Sequence, residues 1–105
     1  MSSVLGKRLK QARLRAGLSQ ERLGVLAGID EMSASARMNQ YERGVHTPGY
    51  PMVEQFAKVL DIPVEYFYAK KEDSAQLLLG FHRLTRADRA KVLEMVKEPS
   101  GTDLK

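Results

Sequence analysis

Apolar residues recur along the first part of the chain at the three- and four-residue spacing of amphipathic helices. This spacing predicts a first helix over residues 3–16, and its apolar positions are Leu5, Leu9, Ala12 and Ala16. A second, shorter helix is predicted over 20–27, and its apolar positions are Leu23, Leu26 and Ala27. Between the two helices, Gly17 supplies a permissive backbone for the turn, and the Ser19 hydroxyl caps the second helix.

A third helix is predicted to end near Arg43, because Gly44 suits the left-handed conformation that ends many helices. Its start is open between Asp30 and Ser33, since both residues are acceptable N-caps. Three residues at intervals of four and three define the side of this helix that faces the core: Ala34, Met38 and Tyr41. The opposite side of the third helix is therefore expected to face solvent or a ligand.

Two more helices complete a unit predicted over 1–69. The fourth helix is predicted over 50–60, and its buried stripe is Val53, Phe56, Ala57 and Leu60. Pro51 is tolerated there because the amides of a first helical turn have no intrahelical acceptor. The fifth helix is short and is predicted over 64–68, after the break at Pro63. The sequence thus predicts an all-α fold built on a five-helix domain.

Two helical segments follow a polar connector, at 73–83 and 86–97. Thr85 is placed to cap the last helix, with Asp88 three residues on. We expect these helices to form a C-terminal hairpin, a dimerisation segment over 73–98. The final residues, 99–105, are expected to form a mobile tail.

Composition limits the classes of function that remain. The chain of 105 residues has no cysteine, which excludes disulfides and thiolate metal sites. No apolar run approaches the roughly 20 residues of a membrane span, and no signal peptide is recognisable, so a cytoplasmic protein is expected. His46 and His82 do not have metal-ligand spacing, and no phosphate loop or nucleophile motif occurs. We therefore expect no enzyme, no cofactor and no metal site.

The distribution of charge says more than its sum. The net charge is +4 and the pI is about 9.5. As far as Gln20 the chain has no acidic residue, and its cations are Lys7, Arg8, Lys10, Arg13 and Arg15. A solvated helix face is one interpretation, and contact with phosphates is the other. Beside a pair of short, tightly connected helices we favour phosphate contacts, and His46 is interpreted as a loop residue near phosphate.

The segment from Gly17 to Gly44 resembles the DNA-binding domain of phage repressors and of the large XRE family of bacterial regulators built on it. The matching stretches are Gly17-Leu18-Ser19-Gln20-Glu21-Arg22-Leu23 and Tyr41-Glu42-Arg43-Gly44. In that family a helix-turn-helix places its recognition helix, here the third, in the major groove of DNA. The resemblance implies a prokaryotic or phage transcriptional regulator of double-stranded DNA, and we expect a repressor that binds a two-fold operator.

The candidate DNA contacts follow from the phase of the third helix. Its outward positions are Ser33, Ala36, Arg37, Gln40 and Arg43. Arg37 can bind guanine through O6 and N7, and Gln40 can bind adenine through N6 and N7. Small side chains at Ser33, Ser35 and Ala36 let the helix approach the base edges closely. An ordinary exposed polar face is the alternative.

Four residues outside that face are assigned with it. Gln20 matches the family position at the start of the second helix that meets the DNA backbone, and Lys10 is expected to reach phosphate. Arg13 and Glu42 match positions that form an internal ion pair between the first helix and the end of the third. The resemblance therefore implies a structural role for Arg13 rather than a DNA contact.

The spacing before the end of the third helix departs from the family. Eleven residues separate Ile29 from Tyr41, about four more than usual, which corresponds to about one helical turn. The added residues either lengthen the recognition helix at its N-terminus or enlarge the preceding turn. Asp30 and Glu31 are expected to point away from phosphates or to reach a cytosine amine.

The last two predicted helices carry more apolar residues than one small hairpin needs. One stripe is Leu77, Phe81 and Leu84, the other is Ala90, Val92, Leu93 and Val96, and the surplus residues are Leu78, Leu79 and Met95. A monomer could fold this surface against the first domain, whereas operators with two half-sites favour a homodimer that buries it. An antitoxin that binds both its operator and a toxin is the alternative function.

Overall fold

The computed structural model describes residues 3–97 as an assembly of six α-helices and one 3-10 helix. The elements are α1 (Val4–Arg15), α2 (Gln20–Leu26), α3 (Glu31–Arg43), α4 (Tyr50–Leu60), the 3-10 helix (Val64–Tyr68), α5 (Glu72–Arg83) and α6 (Arg86–Lys97). No strand occurs within 3–97, and the predicted all-α fold class is confirmed. The tail predicted at 99–105 lies outside the described residues.

The helix boundaries coincide with the capping residues. The Ser3 hydroxyl accepts a hydrogen bond from Gly6 N at 2.8 Å, and the Ser19 hydroxyl accepts one from Arg22 N at 3.0 Å. Gly44 ends α3 in the left-handed conformation with φ of 78°, as predicted. The fifth predicted helix forms as a 3-10 helix instead of an α-helix, which is the tighter form that short helical pieces adopt.

The start of α3 resolves the question that the spacing left open. Asp30 is the N-cap, and its Oδ2 accepts a hydrogen bond from Met32 N at 3.1 Å. The helix then runs for 13 residues from Glu31. The added residues therefore lengthen α3 by about one turn, and they do not enlarge the turn before it.

The core fixes the rotation of α3 about its axis. Ala34 and Met38 are completely buried, as the sequence predicts, and they face α2 at Gly24. A Cβ on Gly24 would lie 3.0 Å from Ala34 Cβ and 3.0 Å from Met38 Cγ, so α2 and α3 pack closely at this point and a larger residue would require these side chains to give by a few tenths of an ångström. Tyr41 is half-buried and packs edge-on against Phe56, with ring centroids 6.2 Å apart.

Arg8 is a structural residue and not one of the exposed cations that the basic N-terminal segment suggested. Its side chain is completely buried. Its Nε donates to Ala69 O at 2.8 Å, Nη2 donates to Lys70 O at 3.2 Å, and Nη1 donates to Glu72 Oε2 at 2.6 Å. These bonds satisfy the buried guanidinium and join α1 to the start of α5.

The two C-terminal helices differ in how they attach. Ala75 of α5 is buried in the core, whereas α6 has no buried residue. Arg89 joins the two helices, since its Nε donates to Phe81 O at 3.1 Å and its Nη2 to His82 O at 2.8 Å. Beside this junction lies an apolar cavity of about 460 Å³, and Leu77 and Val92 are among its lining residues. The two helices therefore do not bury both apolar stripes within one subunit.

The contact between Arg8 and Glu72 predicts a pH-dependent contribution to stability. Hydrogen bonding from Arg8, more than any other cause, holds the pKa of the Glu72 carboxyl below its ordinary value of 4.5. A carboxyl with a lowered folded-state pKa stabilises the fold above its unfolded pKa, and this contribution disappears as the pH falls through the folded value. We expect wild type to exceed Glu72→Gln in free energy of unfolding at neutral pH and the difference to vanish in acid.

Urea denaturation of both proteins between about pH 7 and pH 3 measures this difference. Glu54→Gln is the control, because Glu54 is exposed on α4 and has no ion-pair partner among residues 3–97. Equal pH responses in the two variants would contradict the assignment of Glu72.

Candidate nucleic-acid interface

The outward face of α3 carries the residues that the helix phase predicted. Ser35, Ala36, Arg37, Gln40 and Arg43 are exposed, and Ser33 is half-buried. On this face, the side chains of Ser33, Ser35 and Ala36 in the N-terminal half are small, whereas those in the C-terminal half are long and polar. This arrangement allows close approach of the helix backbone to a partner at one end and hydrogen bonding at the other.

A polar cavity lies beside the C-terminal half of α3. It measures about 280 Å³ and is lined by Arg37, Gln40, Tyr41, His46 and Thr47. The loop that follows α3 contains His46 and Thr47. It is held against the helix by two backbone hydrogen bonds to Gln40 O, from Val45 N at 2.9 Å and from His46 N at 3.3 Å. Sequence reasoning placed His46 in the loop but missed Thr47, although a polar loop directly after a recognition helix is the signal that would have identified it.

The end of α3 is fixed by a buried ion pair. Arg13 Nε donates to Glu42 Oε2 at 2.6 Å, and Arg13 Nη2 donates to Glu42 Oε1 at 3.0 Å. The remaining Arg13 nitrogen, Nη1, donates to Leu18 O at 2.9 Å. Because both side chains are almost completely buried, this two-point contact joins α1 directly to α3 and to the turn before α2.

A glycine on α1 allows the backbones of α1 and α3 to approach each other closely. A Cβ on Gly6 would lie 2.6 Å from Glu42 O and 2.7 Å from Tyr41 O, closer than real Cβ contacts allow. The backbones of α1 and α3 therefore meet at this point. The sequence analysis did not use Gly6, although a glycine on the inward face of an otherwise good helix indicates a close helix contact.

Gln20 and Lys10 lie around this junction. The Gln20 side chain is half-buried, and its Nε2 donates to Glu42 Oε1 at 3.1 Å, so the ion pair orients the first residue of α2. Lys10 is exposed. It follows Gly6 by four residues and precedes Arg13 by three, which places it on the side of α1 that faces the end of α3.

Two kinds of site are absent from the part of the chain that the structure describes. No helix there is both long enough and apolar enough to cross a membrane. No group of three histidine, aspartate or glutamate residues lies close enough to hold a metal ion within 3–97.

The arrangement of α2 and α3 is shared with known proteins, and residues 4–65 match the helix-turn-helix domain family. The chain belongs to that family. Over 89% of its length it is similar to the transcriptional regulator BswR, with 46% identity, a TM-score of 0.84 and 92% of that chain covered. The N-terminal DNA-binding domain of SinR from Bacillus subtilis matches 65% of the chain, at 29% identity and a TM-score of 0.56, with 94% of that domain covered.

Curated relatives give the same result. HTH-type transcriptional regulators of Sinorhizobium medicae (strain WSM419) and Rhizobium meliloti (strain 1021) are each 30% identical over 64 residues, or 61% of this chain. The chain spans 43% of the length of these two relatives. Together these likenesses confirm the resemblance to phage-repressor-like helix-turn-helix regulators.

The buried ion pair predicts a large effect of one substitution on stability. Glu42→Ala leaves the Arg13 guanidinium buried without its partner, and we expect a loss of about 3–5 kcal/mol in the free energy of unfolding. Glu54→Ala, which removes an exposed glutamate, should change stability by less than about 0.5 kcal/mol. Urea denaturation measures both variants, and similar small losses would show that the pair is replaceable.

Proposed function

We propose that this protein is a sequence-specific, double-stranded DNA-binding transcriptional regulator that acts as a repressor on a two-fold operator. The observation that carries the proposal is the outward face of α3. Small side chains lie in its N-terminal half at Ser33, Ser35 and Ala36, Arg37 and Gln40 extend from its middle and C-terminal half, and the Arg13–Glu42 pair fixes its position. A helix of this kind fits the major groove, which is about 12 Å wide.

The long polar residues at the C-terminal half of α3 supply base and phosphate contacts. Arg37 binds a guanine edge through two hydrogen bonds, and Gln40 binds an adenine edge. His46 and Thr47, which line the same polar cavity, donate to the phosphate beside those bases. Arg43, exposed at the last position of α3, lies at the end of this face and contacts the backbone.

Two residues outside α3 hold the DNA backbone. Gln20 is already oriented by its hydrogen bond to Glu42, so its amide and the first amides of α2 meet a phosphate with little loss of side-chain freedom. Lys10 approaches the backbone from α1. These contacts position the protein, whereas α3 reads the sequence.

A second copy of the chain covers the apolar surface of α5 and α6. Leu77, Leu93, Met95 and Val96 are between 46% and 68% exposed, and α6 buries none of its residues within one subunit. A two-fold homodimer buries this surface and presents two recognition helices to two half-sites. In the antitoxin alternative, a toxin would cover the same surface.

The DNA contacts predict different effects of two substitutions. Arg37→Ala should cost about 1–3 kcal/mol at one base pair of each half-site and relax the preference there. Lys10→Ala should weaken binding to all sequences alike and reduce the slope of affinity against salt concentration by about 1. Operator selection followed by titration between about 50 and 200 mM salt measures both effects. Wild-type affinity should fall about 10³–10⁵-fold over that range if 6–10 phosphates are contacted.

Lys58→Ala is the matched control for Lys10→Ala, because Lys58 is exposed on α4, so any equal loss would reflect net charge alone. A salt-independent affinity would contradict phosphate contact. Unchanged sequence selectivity in Arg37→Ala would contradict the assigned orientation of α3.

The dimer predicts that charge on α6 separates the subunits. Leu93→Lys should convert a full-length dimer at tens of micromolar into a monomer, because it places an ammonium group in a buried apolar interface. Leu14→Lys adds the same charge at an exposed leucine of α1 and should leave the dimer intact. Analytical ultracentrifugation measures all three proteins, and a monomeric wild type would contradict the homodimer.

A further inference from the structure

The Met32 side chain is apolar and yet almost fully exposed. It is 93% exposed, the highest value among the large apolar residues of 3–97. It is the second residue of α3, within the added turn that lengthens the recognition helix. Its neighbours in the chain do not cover it, since Asp30, Glu31 and Ser35 are themselves exposed. The Met32 side chain gains the free energy of apolar burial only when a partner covers it.

The phase of α3 places Met32 on the outward side of the helix, about 40° from Ala36 at the edge of the proposed DNA-binding face. Met32, Ala36, Asn39 and Arg43 follow one another at intervals of four, three and four residues, so they form one line along the helix. That line lies opposite the buried Ala34 and Met38. Met32 is therefore the first side chain of the line to enter a groove that α3 approaches with its N-terminus.

The base edges of the major groove offer one apolar group, the C5-methyl of thymine. In helix-turn-helix complexes the N-terminal residues of the recognition helix contact base edges. Methionine is unbranched and flexible, so it adapts its side chain to an apolar surface of irregular shape. We propose that Met32 is a specificity-determining residue that packs against a thymine methyl group on the floor of the major groove. This inference rests on the proposed function of α3.

The charges around Met32 favour the groove floor over the phosphates. The Asp30 carboxylate already accepts the hydrogen bond of Met32 N at 3.1 Å, so it occupies the position that a phosphate would take at the N-terminus of α3. Glu31 adds a second exposed negative charge. Both carboxylates repel the DNA backbone, and the apolar side chain that follows them is the group that base edges can accept.

The experiment replaces thymine by uracil, which removes only the C5-methyl group. The full-length protein first selects its operator from random duplexes, and each thymine of the half-site is then replaced symmetrically by deoxyuridine. At one symmetric position, wild-type affinity should fall about fourfold per half-site, the effect of one buried methyl group. Met32→Ala should bind the thymine and uracil operators equally at that position.

Leu14→Ala is the control, since Leu14 is an exposed apolar residue of α1 outside the proposed DNA-binding and dimer surfaces. Whatever its effect on total affinity, it should keep the wild-type ratio between thymine and uracil operators. Circular dichroism of both variants checks that they remain folded.

Three results would overturn the inference. If wild type binds its operator selectively but ignores every thymine-to-uracil change, Met32 does not read a methyl group and the proposed function stands. If Met32→Ala keeps the fourfold ratio, another residue reads the methyl group. If no duplex is selected at all, the proposed function itself fails, and the assignment of Met32 fails with it.

Discussion

The arrangement of the helix-turn-helix depends on the buried contact between Arg13 and Glu42. Its hydrogen bonds reach four parts of the fold: α1 through Arg13, the turn through Leu18 O, the first residue of α2 through Gln20, and the end of α3 through Glu42. Replacing a buried ion pair by apolar residues is often neutral for stability, so apolar packing could supply a similar free energy. Apolar packing could not fix the same relative orientation of the helices, because the planar guanidinium and the carboxylate fit together in one geometry.

The sequence predicted features that are local and missed those that depend on distant partners. Helix bounds, the Ser19 cap and the inward side of α3 follow from spacing within one turn or two. Arg8 was misplaced because its acceptors lie 61–64 residues further along the chain, and a cation between other cations gives no sign of them. Met32 was not among the predicted outward positions, because the sequence left the start of the third helix open between Asp30 and Ser33.

The basic N-terminal segment shows why buried charges must be separated from exposed ones before the charge of a segment is interpreted. Of its five cations, Arg8 and Arg13 are buried in contacts with the protein's own carboxylates and carbonyls, and Lys7, Lys10 and Arg15 are exposed. Lys7 Nζ also lies 3.9 Å from Glu72 Oε2. The segment thus both builds the fold and presents charge to solvent, and the count of basic residues overstates the charge available to a polyanion.

The length of α3 separates its two ends in space and in chemistry. Its 13 residues span about 20 Å, which is several times the roughly 3.4 Å rise of one base pair. A helix of that length cannot place all of its outward side chains against the same few base pairs. The N-terminal turn carries acidic residues together with the apolar Met32, so it suits base edges away from phosphate. In contrast, Arg37, Arg43 and the polar loop at His46 suit the DNA backbone and its adjoining bases. Under the proposed function, the added turn therefore extends the surface that α3 presents to DNA without adding positive charge to it.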